Sequence, residues 1–315
     1  LKDLPECKGR LVLVAAGKAA WQMAKAAADQ LGDRIDSGVV VTKYDHSMGP
    51  IPPLKIFEAG HPVPDENSYK ATQAAIDEVM SLTEEDLVLF LLSGGGSALF
   101  EKPIIPENEL QDITKQLLAS GADIVEINTL RKRFSAVKGG KFAQICYPAR
   151  VFSIVLSDIL GDPLDMIASG PAYPDSTTAE QAMSIARKYD LKMSFSTERK
   201  LSIETPKQLP NAESHITGSV RQLCAAASEA AVSLGYKPLG LSASVACEAR
   251  DAGSFLASIA QYNAGTEESL AVIFGGETVV HLTGKGLGGR NQELALSGAK
   301  GIAGMKDTLI FSLGR

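Results

Sequence analysis

Apolar positions along this chain fall into short unbroken runs, each followed by a stretch with helical spacing. Residues 11–16 (LVLVAA) read as a buried strand, and 18–31 as a helix with Ala19, Ala20, Met23, Ala27 and Leu31 on one face. Strands follow at 38–43 and 55–59. A helix capped by Asp65 then runs to about Leu82. The run 87–92 (LVLFLL) drops into Ser93-Gly94-Gly95-Gly96-Ser97, and 107–120 is amphipathic again. Residues 151–157 (VFSIVLS) form a β-branched strand, and Thr178–Tyr189 a helix. Strands apolar throughout, each leading to a helix, predict parallel sheets covered on both faces. Residues 192–213 break the rhythm with polar residues, Thr205-Pro206 and Leu209-Pro210. The expected organisation is therefore a first domain at 1–191, a linker at 192–213 and a second α/β domain at 214–315. In the second, strands are expected at 215–218, 237–242, 270–275, 278–283 and 308–313, with helices at 220–234, 246–262 and 290–299.

The length of 315 residues fits about two domains at roughly 100–200 residues each. A net charge of −6 gives no general attraction to nucleic acid or anionic membrane, so any anion site must be local. Cys7, Cys146, Cys224 and Cys247 show neither a CxxC nor a metal-binding spacing, and read as reduced thiols of a cytoplasmic protein. No apolar stretch reaches the ~18 residues of a membrane span. The chain begins at Leu1, so a segment upstream is left open.

Three glycine loops stand at predicted strand ends: Gly17-Lys18, Ser93–Ser97 and Gly284–Arg290 (GKGLGGR). In open α/β sheets ligands bind at the carboxyl ends of strands. Glycine turns bring several backbone N–H groups to one point, which suits phosphate oxygens, although an isolated glycine pair is more often a plain turn. Gly284, Gly286 and Gly289 match the G-x-G-x-x-G spacing of dinucleotide folds. The acidic residue that fingerprint needs should end the next strand. Asp307 instead precedes the predicted strand at 308–313, which argues against a nicotinamide site. No Walker-type phosphate loop occurs.

Read together, AAGKAAWQMA (15–24), EAGHPVPDENS (58–68), LLSGGGSALF (91–100), the stretches 119–143 and 155–175, and FGGETVVHLTGKGLGGRNQELAL (274–296) resemble the D-glycerate 2-kinases with a C-terminal MOFRL domain, a family with the older label hydroxypyruvate reductase. The resemblance implies two Rossmann-like α/β/α domains with a cleft between them. It implies ATP-dependent phosphorylation of the 2-hydroxyl of D-glycerate, with Mg²⁺ or another divalent cation. It carries the lysine of the family's G-K-A motif onto Lys18 and the arginine of G-G-R-N-Q-E onto Arg290. Val220 stands where the family usually has asparagine, and the family continues beyond the point where this chain stops, so the second domain is expected to be incomplete.

Phosphoryl transfer needs positioning and positive charge around the transferring group. Lys18 and Arg290 are the expected catalytic cations. Each stands at a helix start, where a cation opposes the helix dipole; such local inconsistencies tend to mark functional sites. Ser93, Gly94, Gly95, Gly96 and Ser97, with Gly288 and Gly289, are expected to hold phosphate oxygens of the nucleotide; the glycerate carboxylate is the alternative for the serine-flanked loop. Asp158 follows a strong strand and is a candidate for proton acceptor or metal ligand, with Asp162 behind it and Glu277 as a weaker metal candidate. Arg131, Lys132 and Asn291 are candidate substrate contacts; the plain reading of Asn128, Arg131, Lys132 and Lys138 is a solvated helix face. His61 reads as a structural loop residue, and His46 points to no chemistry. The expected partners are glycerate and a nucleotide, with no nucleic acid and no membrane, and a homodimer is left open. The alternatives are an NAD(P)H-dependent hydroxypyruvate reductase and a non-catalytic binder of a phosphorylated metabolite.

Overall fold

The computed structural model describes residues 1–157, 164–284 and 286–314. These form two compact units that divide between Thr217 and Gly218. The first contains strands β1 (Leu11–Ala16), β2 (Ser37–Lys43), β3 (Lys55–Ala59), β4 (Leu87–Ser93), β5 (Arg150–Leu156) and β6 (Ala212–Thr217). Its helices are α1 (Ala20–Leu31), α2 (Glu66–Val79), α3 (Gly96–Leu99), α4 (Glu107–Ala119), α5 (Ile124–Phe134), α6 (Lys141–Cys146), α7 (Ala179–Lys188) and α8 (Phe195–Leu201).

The six strands form one parallel sheet in the order β3-β2-β1-β4-β5-β6. β1 and β4 are central, with Leu11 opposite Leu87 and Ala16 opposite Leu92, and every residue of both is buried. That is why their sequences are apolar without alternation. Leu11, Leu13 and Ala15 face α1, packing with Ala20, Trp21, Ala24 and Ala27. Val12, Val14 and Ala16 face the other way, toward Ala71, Ala75 and Val79 of α2 and Phe142 of α6. Each fully buried aliphatic side chain contributes roughly 1.5–3 kcal/mol, so this two-sided burial dominates the unit's stability. Asp65 caps α2, accepting the Ser68 N–H at 3.0 Å, while Ser68 Oγ accepts from the Asp65 N–H at 3.2 Å.

The second unit holds α9 (Val220–Ser233), β7 (Lys237–Val245), α10 (Ala249–Tyr262), β8 (Leu270–Gly276) and α11 (Arg290–Gly301). β7 and β8 pair in parallel, Lys237 opposite Leu270. Phe274 packs with Ala249, Ala252 and Leu294, from α10 and α11. Gly275 lies on the opposite face against Val220 and Cys224 of α9. This is a small α/β layer arrangement.

Three expectations are corrected. Residues 192–213 are no linker: Ser194 caps α8, Thr197, Leu201 and Thr205 are buried in the first unit, and β6 joins the first sheet through β5. Polar composition misled because these polar groups are satisfied internally. The strands expected at 278–283 and 308–313 are not formed. Val279 makes a single bridge to Glu248, and a β-branched run without a partner strand has no ladder to complete. Third, no strand directly precedes the Gly284–Arg290 loop, since β8 ends at Gly276. Among the described residues, no helix is long and apolar enough to cross a membrane.

Candidate active site

The strand order reverses between β1 and β4: β2 and β3 extend to one side, β5 and β6 to the other. The crevice at the carboxyl end of such a switch point is where doubly wound sheets bind ligands. Here it is formed by the Gly17-Lys18 loop after β1 and the Ser93–Ser97 loop after β4.

The two loops interlock. The Lys18 N–H donates to the Gly94 carbonyl at 2.8 Å, and the Ala19 N–H donates to Ser93 Oγ at 3.1 Å. Gly17 has φ +126°, and a Cβ there would sit 2.5 Å from the Ser93 carbonyl oxygen, so only glycine permits this approach. Gly95 has φ +86°, the left-handed conformation that turns the chain into α3, and Gly96 is buried as the first residue of that short helix. Among the described residues no acceptor takes the N–H groups of Gly95, Gly96 or Ser97. Lys18 is exposed and has no ion-pair partner among the described residues. Its carbonyl oxygen is held by Thr42 Oγ1 and His46 Nδ1, both at 3.3 Å, so His46 carries its proton on Nδ1. The His61 ring lies over Gly95 beside the Lys18 stem.

Behind the loop the charges are inside. Arg131 Nη2 and Lys138 Nζ both donate to the Ser97 carbonyl, at 3.2 and 2.9 Å, and Lys138 also pairs with Glu101 at 3.2 Å. Burial pulls the Lys138 ammonium down to about 8, against the opposing pull of Glu101. Lys132 is fully buried, 2.9 Å from Asp175 and 3.6 Å from Asp165. Arg133 meets Asp175 at 2.9 Å. Burial pushes the Asp175 carboxyl up, but bonds from Thr205, Thr177 and Lys132 outweigh it and hold the group well below the usual range. The solvated-face reading of this stretch is therefore corrected for Lys132 and Lys138, and the Lys132 ammonium engages carboxylates inside the fold. Asn128 is also buried and accepts from Ser169 Oγ at 3.2 Å. A signal for α5 was present in the sequence: Asp123 and Glu126 form a capping box three residues apart.

In the second unit, Arg290 and Glu277 are exposed and bonded to each other, and Arg290 Nη1 also donates to the Thr278 carbonyl at 3.3 Å. Gly288 and Gly289 are exposed ahead of α11. Asn291 accepts from Ser312 Oγ at 2.8 Å. Asp158 and Asp162 lie outside the described residues. Among those described, no three His, Cys, Asp or Glu side chains form a metal-sized cluster, and the Glu277 carboxylate is taken by Arg290. The described residues thus offer no protein cage for a divalent cation.

Fold and loops together define a two-unit α/β protein whose doubly wound unit brings the Gly17-Lys18 and Ser93–Ser97 loops together at its switch point. Residues 2–202 match a family described as a domain of unknown function, DUF4147, and residues 270–315 match the MOFRL family. The chain is 52 % identical over 97 % of its length to a D-glycerate 2-kinase from Thermotoga maritima, covering 75 % of it, and 39 % identical over 97 % to a glycerate 2-kinase from Pyrococcus horikoshii, covering 72 %. Two relatives from Agrobacterium vitis, each 39 % identical, bear the name putative hydroxypyruvate reductase. The crystal structure of glycerate kinase from Thermotoga maritima superposes with a TM-score of 0.90 at 53 % identity, covering 94 % of this chain and 73 % of that one. The chain belongs to the glycerate 2-kinase family.

Proposed function

We infer that this protein is an ATP-dependent glycerate kinase that phosphorylates the 2-hydroxyl of D-glycerate, yielding 2-phosphoglycerate and ADP. The observation that carries the reading is the 52 % identity to a D-glycerate 2-kinase across almost the whole chain. The switch-point crevice supports it, with the backbone N–H groups of Gly95–Ser97 and the exposed Lys18 beside one another.

In the reaction the glycerate hydroxyl oxygen bonds to the γ-phosphorus, the bond from that phosphorus to the β–γ bridging oxygen breaks, and the hydroxyl proton leaves to a base. The Ser93–Ser97 loop binds phosphoryl oxygens through N–H groups and hydroxyls, and Lys18 neutralises charge on the transferring group. Arg290 is the second proposed cation, Asp158 the proposed base, and Arg131 and Asn291 the proposed substrate contacts. A divalent cation would supply charge neutralisation at the phosphoryl oxygens, and Asp158 is the carboxylate that would hold it.

Two relatives favour a reductase by name. The G-x-G-x-x-G spacing does not follow directly on a described strand, and so lacks the context a dinucleotide site requires. One assay separates the readings: the protein is given D-glycerate, ATP and Mg²⁺, and separately hydroxypyruvate and NADH. Glycerate-dependent ADP release is expected, and NADH consumption without it would reverse the assignment. If Lys18 and Arg290 act on the same phosphoryl group, the double alanine variant loses little more activity than the worse single one.

A further inference from the structure

We propose that Lys138 is a positioning residue of the kinase reaction: its buried ammonium holds the turn after β4 in the conformation in which the Ser93–Ser97 loop binds an anionic oxygen, phosphoryl or carboxylate. The proposal rests on the reading of that loop as part of the reaction site.

The turn cannot hold itself. α3 has four residues, too few for a helix that is stable alone. Its carbonyls are held one by one. The Gly94 carbonyl accepts the Lys18 N–H at 2.8 Å, that of Gly95 accepts the Ala98 and Leu99 N–H groups at 3.1 and 3.2 Å, and that of Gly96 accepts the Phe100 N–H at 2.9 Å. The Ser97 carbonyl is held by side chains, Lys138 Nζ at 2.9 Å and Arg131 Nη2 at 3.2 Å. Lys138 Nζ also donates to the Phe100 carbonyl at 3.0 Å. A peptide N–H points opposite to the C=O of the same planar unit. Fixing the Ser97 carbonyl therefore aims the Ala98 N–H at Gly95, and fixing the Gly95 carbonyl sets the direction of the Gly96 N–H. One ammonium thus orients backbone donors of the loop without touching the ligand.

Lys138 is buried together with its ion-pair partner Glu101, 3.2 Å away. Both are fixed from behind. The Lys102 N–H donates to Glu101 Oε1 at 3.0 Å, and the Gly139 and Gly140 N–H groups donate to the Ser169 and Gly170 carbonyls at 2.9 and 2.7 Å. Supports that do not need the ligand are what a preorganised site requires. A turn that needed only closing would be served as well by a packed apolar side chain, which is often at least as stable as a buried ion pair. The charge has a use beyond closure. Among the described residues Arg131 has no carboxylate within 4 Å, so the Ser97 carbonyl faces two cations and the one carboxylate of Glu101. Net positive charge next to the loop favours an anion bound on it.

The test is steady-state kinetics and melting temperature of the Lys138→Met/Glu101→Gln double variant, with Lys18→Ala beside it. The double variant removes both buried charges and leaves neither unpaired, so the fold is expected to survive. Its kcat is expected to fall roughly 10–100-fold, as when catalytic donors are misplaced. Its KM for ATP is expected to rise roughly three- to tenfold, the equivalent of one weakened hydrogen bond. A smaller folded fraction lowers kcat and leaves both KM values where they are, so the rise separates positioning from stability. A rise in the KM for glycerate instead upholds Lys138 and assigns the loop to the carboxylate. Kinetic constants within about twofold of the parent overturn the proposal. So do a lowered kcat with both KM values unchanged, and a double variant that does not fold, because Lys138 is then a structural residue only. If Lys18→Ala remains fully active, the reading of the loop itself fails, whatever the double variant does.

Discussion

Ser93 Oγ accepts the Ala19 N–H at 3.1 Å, tying the loop after β4 to the loop after β1 across 74 residues of sequence. The bond joins the two strands at the switch point, and it also orients the loop that holds Lys18. Ser93→Ala leaves the Ala19 N–H without its acceptor, at a cost of about 1–3 kcal/mol. Urea unfolding should show that loss, and glycerate-dependent ADP release should fall further than stability alone explains. Unchanged stability would mean that the two loops hold together without this bond.

Asp175 is the counter-ion of two buried cations, Lys132 and Arg133. Asp175→Asn leaves Lys132 only Asp165 at 3.6 Å and Arg133 only Glu204 at 3.7 Å as carboxylate partners, and should destabilise the first unit by about 3 kcal/mol. Glu126 is the contrast: its partner Lys188 is largely exposed, so Glu126→Gln should lower stability by only about 0.5–1 kcal/mol. The bond from Lys188, then that from Tyr189, draws Glu126 down to about 2 from 4.5. Its contribution is present above pH 4.5 and disappears as pH falls through 2, visible as a difference between parent and variant in acid unfolding.

Burial, then the nearby Arg133, lowers Lys141 to about 8 from 10.5, and among the described residues it has no ion-pair partner within 4 Å. Below pH 8 both folded and unfolded chains carry the proton, and the fold bears the full cost of the buried charge. Between 8 and 10.5 the unfolded chain binds more protons, so this group makes stability rise with pH, by up to about 1.4 kcal/mol per unit. Denaturant unfolding at pH 8–10 should show that slope reduced in Lys141→Met.

Arg290 and Glu277 form an exposed pair. Arg290→Ala should change stability by under about 1 kcal/mol yet lower kcat strongly, if the arginine acts on the phosphoryl group. Glu277→Gln, which releases the arginine, should retain activity and unchanged Mg²⁺ dependence. A rise in the Mg²⁺ requirement would restore Glu277 as a metal ligand. Parallel measurements of ADP release and melting temperature separate these outcomes.

Over residues 11–120 the sequence alone determined the strands and the longer helices of the first unit. Unbroken apolar runs such as 11–16 and 87–92 can be satisfied only by strands buried on both faces, and Asp65 announced the start of α2. The family's motifs singled out Lys18 and the triple-glycine loop. Tertiary structure decided what no spacing encodes. Strand order placed Gly17 against Ser93, which depends on pairing between distant segments. It also turned the basic residues Lys132, Arg133 and Lys138 inward, because their carboxylates Asp175 and Glu101 arrive from elsewhere in the chain. A charged residue looks solvated until its counter-ion is located.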